Sequence, residues 1–213
     1  MKTLKIDFVS DVSCPWCAIG LQALQSAVHT LDGELAVDIH FQPFELNPKM
    51  VQEGQDITEH LAEKYGSTPV QSAAARETIR ARGEALGFSF NMAGRDRIYN
   101  TFNAHRLLHW AALEGKQLAL KAALLKAYFT DGENPSDSAL LVRVAGEVGL
   151  DTERAQAILA GDTFAAEVRA QEQFYLGQGI NSVPAVIIND RHLISGGQPP
   201  EVFEQALRQI AAL

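Results

Sequence analysis

Leu4-Lys5-Ile6-Asp7-Phe8-Val9, then Ser10-Asp11-Val12-Ser13, then Cys14-Pro15-Trp16-Cys17 is the stretch on which the reading of this 213-residue chain turns. The first six residues alternate apolar and polar and carry the β-favouring Ile6, Phe8 and Val9, so they read as a short strand. The next four make a turn. From Cys14 onward the apolar residues Cys17, Leu21, Leu24, Val28 and Leu31 recur at helical spacing, and Pro15 suits the first helical position, where its missing N–H costs nothing. Cys14 therefore falls at or next to the N-cap, where unpaired backbone N–H groups and the helix dipole favour a thiolate over a thiol. Cys17, one turn further in, is placed to attack a mixed disulfide formed on Cys14.

These are the only two cysteines in the chain. Two cysteines placed at random would show this separation about one time in a hundred, so chance is a weak rival. A structural zinc site needs four ligands and would have to recruit distant histidines. A permanent disulfide closing so small a loop removes little chain entropy. Buried, inert thiols fit poorly with a helix start preceded by Asp11 and Ser13. The preferred reading is a reversible redox pair.

A second strand is expected from Leu35 to Phe41, closing a β-α-β piece near Leu46-Asn47-Pro48. From Ile57 to Gly177 strand signals disappear, and about six helical patterns alternate with glycine and proline. Pro69 and Pro135 suit first-turn positions, and Gly87, Gly115, Gly149, Gly161 and Gly177 suit helix C-termini. Ala185-Val186-Ile187-Ile188 and Arg191-His192-Leu193-Ile194 read as a hairpin turned at Asn189-Asp190. Pro200 to Leu213 closes the chain as an amphipathic helix, with Val202, Phe203, Ala206, Leu207 and Ile210 on one face.

Asp11-Val12-Ser13-Cys14-Pro15-Trp16-Cys17-Ala18-Ile19-Gly20, Phe41-Gln42-Pro43-Phe44-Glu45-Leu46-Asn47-Pro48, Asn100-Thr101-Phe102-Asn103-Ala104-His105-Arg106 and Ser195-Gly196-Gly197-Gln198-Pro199-Pro200 resemble the FrnE-type, DsbA-like oxidoreductases of the thioredoxin superfamily. The resemblance spans nearly the whole chain. It implies an α/β, thioredoxin-like fold with an inserted α-helical domain, divided as 1–48 plus 178–213 around an insertion of 49–177. It implies Cys14 as the attacking sulfur, nearer solvent, and Cys17 as the resolving one. Trp16 stands where DsbA-like oxidants often carry a histidine, and an indole supplies no positive charge; with Pro15 it is a candidate substrate contact. The resemblance also implies a cis peptide at Val183-Pro184 opposite the cysteines, presenting the Val183 backbone to an extended substrate. It sets the Asn100 to Arg106 block, including Asn100 and His105 on a helix running from about Ile98 to Leu113, along the cleft above Cys14.

One departure stands out. The superfamily places a buried acid six residues before the first cysteine, and here that position is Phe8, flanked by Asp7 and Asp11, which strand alternation points elsewhere. Deprotonation of Cys17 is left without a visible base. His105 and His109 have the spacing of a zinc helix, but no glutamate follows His105 and no third ligand is evident, so no metal is expected. His29, His40, His60 and His192 read as structural or solvated. Gly196-Gly197 reads as a turn, since a phosphate loop needs further glycine and lysine spacing.

Lys and Arg total 18 against 26 Asp and Glu, a net charge of −8, which disfavours nucleic acid or anionic membrane as partners. Lys5 and Asp7 interrupt any apolar leader, and no apolar run is long enough to span a membrane, so a cytoplasmic protein is expected. The activity expected is dithiol-disulfide exchange with protein or small-molecule thiols. Reductase or isomerase action is favoured over net oxidase, because the cytosol keeps thiols reduced. No cofactor is expected beyond the redox-active disulfide itself, with glutathione a candidate co-substrate. Two other readings stay open: a glutathione-dependent transferase or isomerase of the kappa-class or 2-hydroxychromene-2-carboxylate isomerase type, whose members typically carry serine at the position of Cys14, and a chaperone-like peptide-binding module.

Overall fold

The computed structural model describes residues 3–213; Met1 and Lys2, counted in the 1–48 segment, lie outside them. Strand β1 (Thr3–Ser10) leads through the Asp11–Ser13 turn into α1 (Pro15–Thr30), which returns to β2 (Ala36–Pro43). Leu4, Ile6 and Phe8 point to one face of β1 and are fully buried against the apolar side of α1, where Cys17, Leu21 and Leu24 also lie. Val9 faces the other way, into a smaller cluster with Phe44, Tyr175 and Ile180. With apolar cover on both faces, β1 is an interior strand.

β2 runs parallel to β1, and β5 (Ala185–Ile188) lies antiparallel on its other side, followed by β6 (His192–Ser195), giving the order β2-β1-β5-β6. Phe8 sits between Phe41 on β2 and Val186 on β5, and its ring lies 5.6 Å from that of Phe41. The β5–β6 hairpin turns at Asn189 and Asp190, whose φ of 51° and 57° are the left-handed pair that primed turns require. Asn189 extends the ladder by exchanging backbone and side-chain bonds with Lys5. Helix α9 (Pro200–Ala211) packs Phe203, Leu207 and Ile210 against α1, as its apolar stripe implies.

Between β2 and β5 the chain forms α2 (Ile57–Tyr65), α3 (Pro69–Ala85), α4 (Phe102–Leu113), α5 (Gln117–Phe129), α6 (Ser138–Glu147), α7 (Thr152–Ala160) and α8 (Ala165–Gly177). Their starts follow from local chemistry. Asp56 accepts from the N–H groups of Thr58 and Glu59, and Thr68 forms a capping box with Gln71 ahead of Pro69. Ile79, Phe90, Leu125, Tyr128 and Phe129 join the core beneath the sheet, while Val12 reaches into the separate core of α4 to α7. The helices thus share their apolar interior with the sheet. β2 is an edge strand, and Gln117 meets it there: its Oε1 accepts from Phe41 N at 2.8 Å and its Nε2 donates to Phe41 O at 2.9 Å.

Several local expectations need correction. A two-stranded ribbon, β3 (Gln55–Asp56) with β4 (Arg97–Ile98), lies where no strand signal is readable, because two residues cannot display an alternation. It occupies Ile98, so α4 begins only at Phe102. Pro135 precedes the Asp137 N-cap of α6 and is not in its first turn. Gly177 closes α8, and the left-handed residue beyond it is Gly179, with φ of 83°. Gly161 caps α7 in an extended conformation, φ −126°.

Candidate active site

Cys14 is the N-cap of α1, with φ −90° and ψ 112°, and Pro15 opens the helix. The Cys14 carbonyl accepts from Cys17 N at 3.1 Å and Ala18 N at 3.3 Å, which winds the first turn so that Cys17 lies beneath Cys14. Both cysteines are free thiols. The Cys14 thiol donates to the Val183 carbonyl at 3.7 Å, and the Val183–Pro184 peptide is cis. Pro15 and Trp16 are half-buried at the mouth of the helix. Cys14 lies nearer to solvent than Cys17, at 3% exposed against 0%, and both are buried. The reason is packing: Trp16, Leu46 and Val183 flank the core cluster to which Cys14 belongs. For Cys17, burial first and then the neighbouring Cys14 sulfur push the thiol well above its ordinary range, with Lys121 pulling the other way.

Asp11 is the anchor of this helix start. Its side chain is fully buried and accepts from Ser13 N at 3.2 Å, Ser13 Oγ at 3.0 Å and Leu46 N at 2.7 Å. His105 Nε2 lies 3.5 Å from Oδ1. Burial disfavours the charge, but His105 and the Leu46 N–H outweigh it and hold the carboxyl down at about 2. One carboxylate therefore ties together the turn before Cys14, the loop after β2 and helix α4. The Asp-x-Ser pattern ahead of an N-cap is a recognisable side-chain-to-backbone turn signal, and it could have marked Asp11 as more than a flanking acid.

On the other side, the Arg82 guanidinium of α3 sits 5.3 Å from the Trp16 ring centroid and donates to the Gly197 carbonyl at 3.3 Å. Gly196 N donates to Pro184 O at 2.8 Å, so the Gly196-Gly197 turn braces the cis-proline segment. A side chain at Gly197 would place its Cβ 2.9 Å from the Trp16 carbonyl, and one at Gly20 would meet Pro184 Cγ at 3.1 Å. Gly197→Ala is expected to push this turn off the first turn of α1 and to cost about 1–3 kcal/mol. Thermal unfolding measures the loss; an unchanged midpoint would mean the backbone has room to yield.

The two candidates from the insertion, Asn100 and His105, are both engaged with other groups of the protein. Asn100 precedes α4, accepts from Phe102 N at 2.9 Å and donates to Met50 O at 3.2 Å, so its side chain is engaged in joining two loops. His105 is 3% exposed and faces Asp11 from below, not an open cleft. Its helical neighbour His109 looks elsewhere, to Gln171 at 3.5 Å and the Phe164 ring. Among the described residues no three His, Cys, Asp or Glu side chains are grouped as metal ligands, and no helix is long and apolar enough to cross a membrane. A residue not singled out from the sequence also enters: Lys121 of α5, 1% exposed, in electrostatic reach of Cys17, Asp11 and Cys14.

Comparison with known proteins agrees with this architecture. The chain aligns over 97% of its length with a protein described as a probable DsbA oxidoreductase from Streptomyces coelicolor, at 34% identity, 89% coverage of that chain and a TM-score of 0.88. A 2-hydroxychromene-2-carboxylate isomerase shares the fold at 14% identity and TM-score 0.76, with 97% and 95% of the two chains covered. The cytosolic disulfide reductase DsbM of Pseudomonas aeruginosa, solved with GSH, shares it at 19% identity and TM-score 0.67, with 98% and 100% covered. The model of the DSBA-like thioredoxin domain matches residues 5–208, and the chain belongs to that family.

Proposed function

We propose that this protein is a dithiol-disulfide oxidoreductase, of the FrnE type within its family, that exchanges a Cys14–Cys17 disulfide with protein or small-molecule thiols. The observation that carries the reading is the Cys14 sulfur at a helix N-cap, bonded to the Val183 carbonyl, with a second thiol one turn beneath it. Cys14 attacks a substrate disulfide, and Cys17 resolves the mixed disulfide. Pro15 fixes the helix start. Trp16, Val183 and Pro184 border the sulfur and form the substrate contact; Asn100 and His105 support the loops behind it.

The favoured direction is reduction or isomerisation in a cytoplasmic setting. Strong oxidants of this chemistry hold their reduced form stable, and the residue between Pro15 and Cys17 is the uncharged Trp16, which adds no cation beside the sulfur. A cytosolic disulfide reductase solved with glutathione shares the fold, which supports glutathione as co-substrate. Titration in glutathione redox buffers, followed by insulin reduction and scrambled-ribonuclease assays, tests this. The expected potential lies nearer about −270 mV than about −120 mV, with insulin reduced. A potential near the upper value with no insulin reduction would reverse the direction. The isomerase relative supports a second reading, glutathione-dependent isomerisation, which requires turnover of an electrophile with glutathione to survive Cys14→Ser.

A further inference from the structure

Two glutamates and one arginine meet where the loop after β2 rests on α8. Glu45 belongs to that loop, and Arg169 and Glu172 lie three residues apart on the helix. Arg169 Nη1 donates to Glu172 Oε2 at 2.7 Å and, from the same nitrogen, to Glu45 Oε2. The Arg169 guanidinium carbon is 3.8 Å from the ring centroid of Phe102, the first residue of α4, so the cation is held in place from a third element. Both glutamates are more than nine-tenths buried, at 8% and 7% exposed. The second oxygen of each, Oε1, is buried with no hydrogen-bond partner.

Two carboxylates that share one nitrogen repel each other, and burial strips each of the water that would offset its charge. One proton on the pair removes the repulsion and supplies a donor for an oxygen that has none, the arrangement two neighbouring carboxyls adopt when both cannot ionise. Burial pushes both carboxyls above the ordinary glutamate value of 4.5, with Arg169 opposing. The other charged groups facing the pair are His105 of α4 and Asp11 ahead of α1. The Lys64 amine of α2 donates to the carbonyl of Leu46, the residue after Glu45. Leu46 also connects the pair to the cysteines. Its N–H donates to Asp11 Oδ2 at 2.7 Å, and the Asp11 carbonyl accepts from Cys14 N at 3.4 Å.

We propose that Glu45 and Glu172 share one proton over Arg169 at neutral pH, and that losing it is a pH-sensitive switch that loosens the loop holding Asp11 beside Cys14. With the proton in place, one carboxylate balances one guanidinium and the loop is clasped to α8. Without it, two buried negative charges face a single positive one, with Asp11 a third negative group in reach. Glu45 is then driven toward water, and Leu46 N is drawn off the carboxylate that anchors the turn before Cys14. The consequence for Cys14 rests on the exchange reading; the shared proton does not. Both carboxyls titrate higher in the fold than in the unfolded chain. The stability they contribute is therefore complete below the ordinary value of 4.5 and is lost as pH rises through the raised one, the reverse of Asp11.

Infrared spectra of the full chain at neutral pH read the proton directly. The wild type should show the carbonyl stretch of a protonated carboxyl, and Glu172→Gln should lose it, because one carboxylate then remains for one guanidinium. In alkaline buffer Glu172→Gln should melt at least about 3 °C above the wild type, and the gap should close as pH falls toward the ordinary glutamate range. The switch is read from alkylation of Cys14 by iodoacetamide in Cys17→Ser and in Cys17→Ser plus Glu172→Gln. The ionisation of Cys14 itself is common to both, so the ratio of their rates isolates the loop. Between about pH 6 and 9 that ratio should grow at least about fivefold, the low end of coupling between two sites. Should Glu172→Gln not fold, Glu45→Gln carries the same comparisons. Absence of the protonated-carboxyl band in the wild type, or melting temperatures that stay parallel with pH, would overturn the shared proton. A band accompanied by a flat rate ratio would overturn the switch. Cys14 that alkylates with the expected ratio but exchanges with no disulfide at any pH would defeat the exchange reading alone.

Discussion

Cys14→Ser is expected to abolish disulfide exchange outright, and Cys17→Ser to stop it one step later. A thiolate is both the nucleophile and the atom that becomes disulfide-bonded, and a serine hydroxyl can do neither. Removing a nucleophile that works as part of a unit costs on the order of 10⁴-fold or more. With Cys14 replaced, Cys17 remains fully buried beneath the first helical turn and has no route to a substrate disulfide. With Cys17 replaced, Cys14 still attacks, but the mixed disulfide has no internal resolving thiol and accumulates. Insulin reduction should be lost in both variants, while mass spectrometry should find a stable glutathione adduct only in Cys17→Ser. An adduct that decays as fast in Cys17→Ser as in the wild type would remove Cys17 from the mechanism.

Asp11→Ala is expected to cost about 3–5 kcal/mol, since it breaks a buried ionic arrangement by deleting one member. Leu46 N, Ser13 N and Ser13 Oγ would lose their shared acceptor, and His105 the carboxylate 3.5 Å from its Nε2. For a chain of this length that is a fall of roughly 10 °C in melting temperature. The wild type should carry a pH signature of the same group. An ordinary aspartate titrates at 3.8 and Asp11 at about 2 in the fold, so the charged form is favoured by folding. Its contribution, about 2 kcal/mol, is complete above pH ~4 and disappears as pH falls toward ~2. Denaturation curves taken across that interval should converge for wild type and Asp11→Asn. Parallel curves at constant separation would show that Asp11 is not ionised in the fold.

How much of this was legible in the sequence depends on whether the signal is local. The strand before Cys14, the Pro15 helix start and the Asn189-Asp190 hairpin all rest on residues within one or two turns of each other, and they read correctly. The β3–β4 ribbon was not readable, because its four residues pair across more than forty positions and carry no period. Lys121 was invisible for a different reason. Within Gln117-Leu118-Ala119-Leu120-Lys121-Ala122-Ala123-Leu124 it looks like a routine helix-surface lysine, and only the packing of α5 against β2 makes it an interior residue. The burial of Cys14 is tertiary as well: the Val183 carbonyl that its thiol meets lies 169 positions away along the chain. Asp11 falls between these cases, its link to Ser13 readable and its links to Leu46 and His105 not.

Gln117, at the head of the same helix, occupies with its amide the N–H and carbonyl that Phe41 would otherwise offer at the margin of the sheet. An unguarded margin of this kind is a template on which another chain can add itself, ending in aggregates. The carboxamide plugs that template with a single side chain, one that lies 103 positions from Cys14 and 66 from Val183 along the chain.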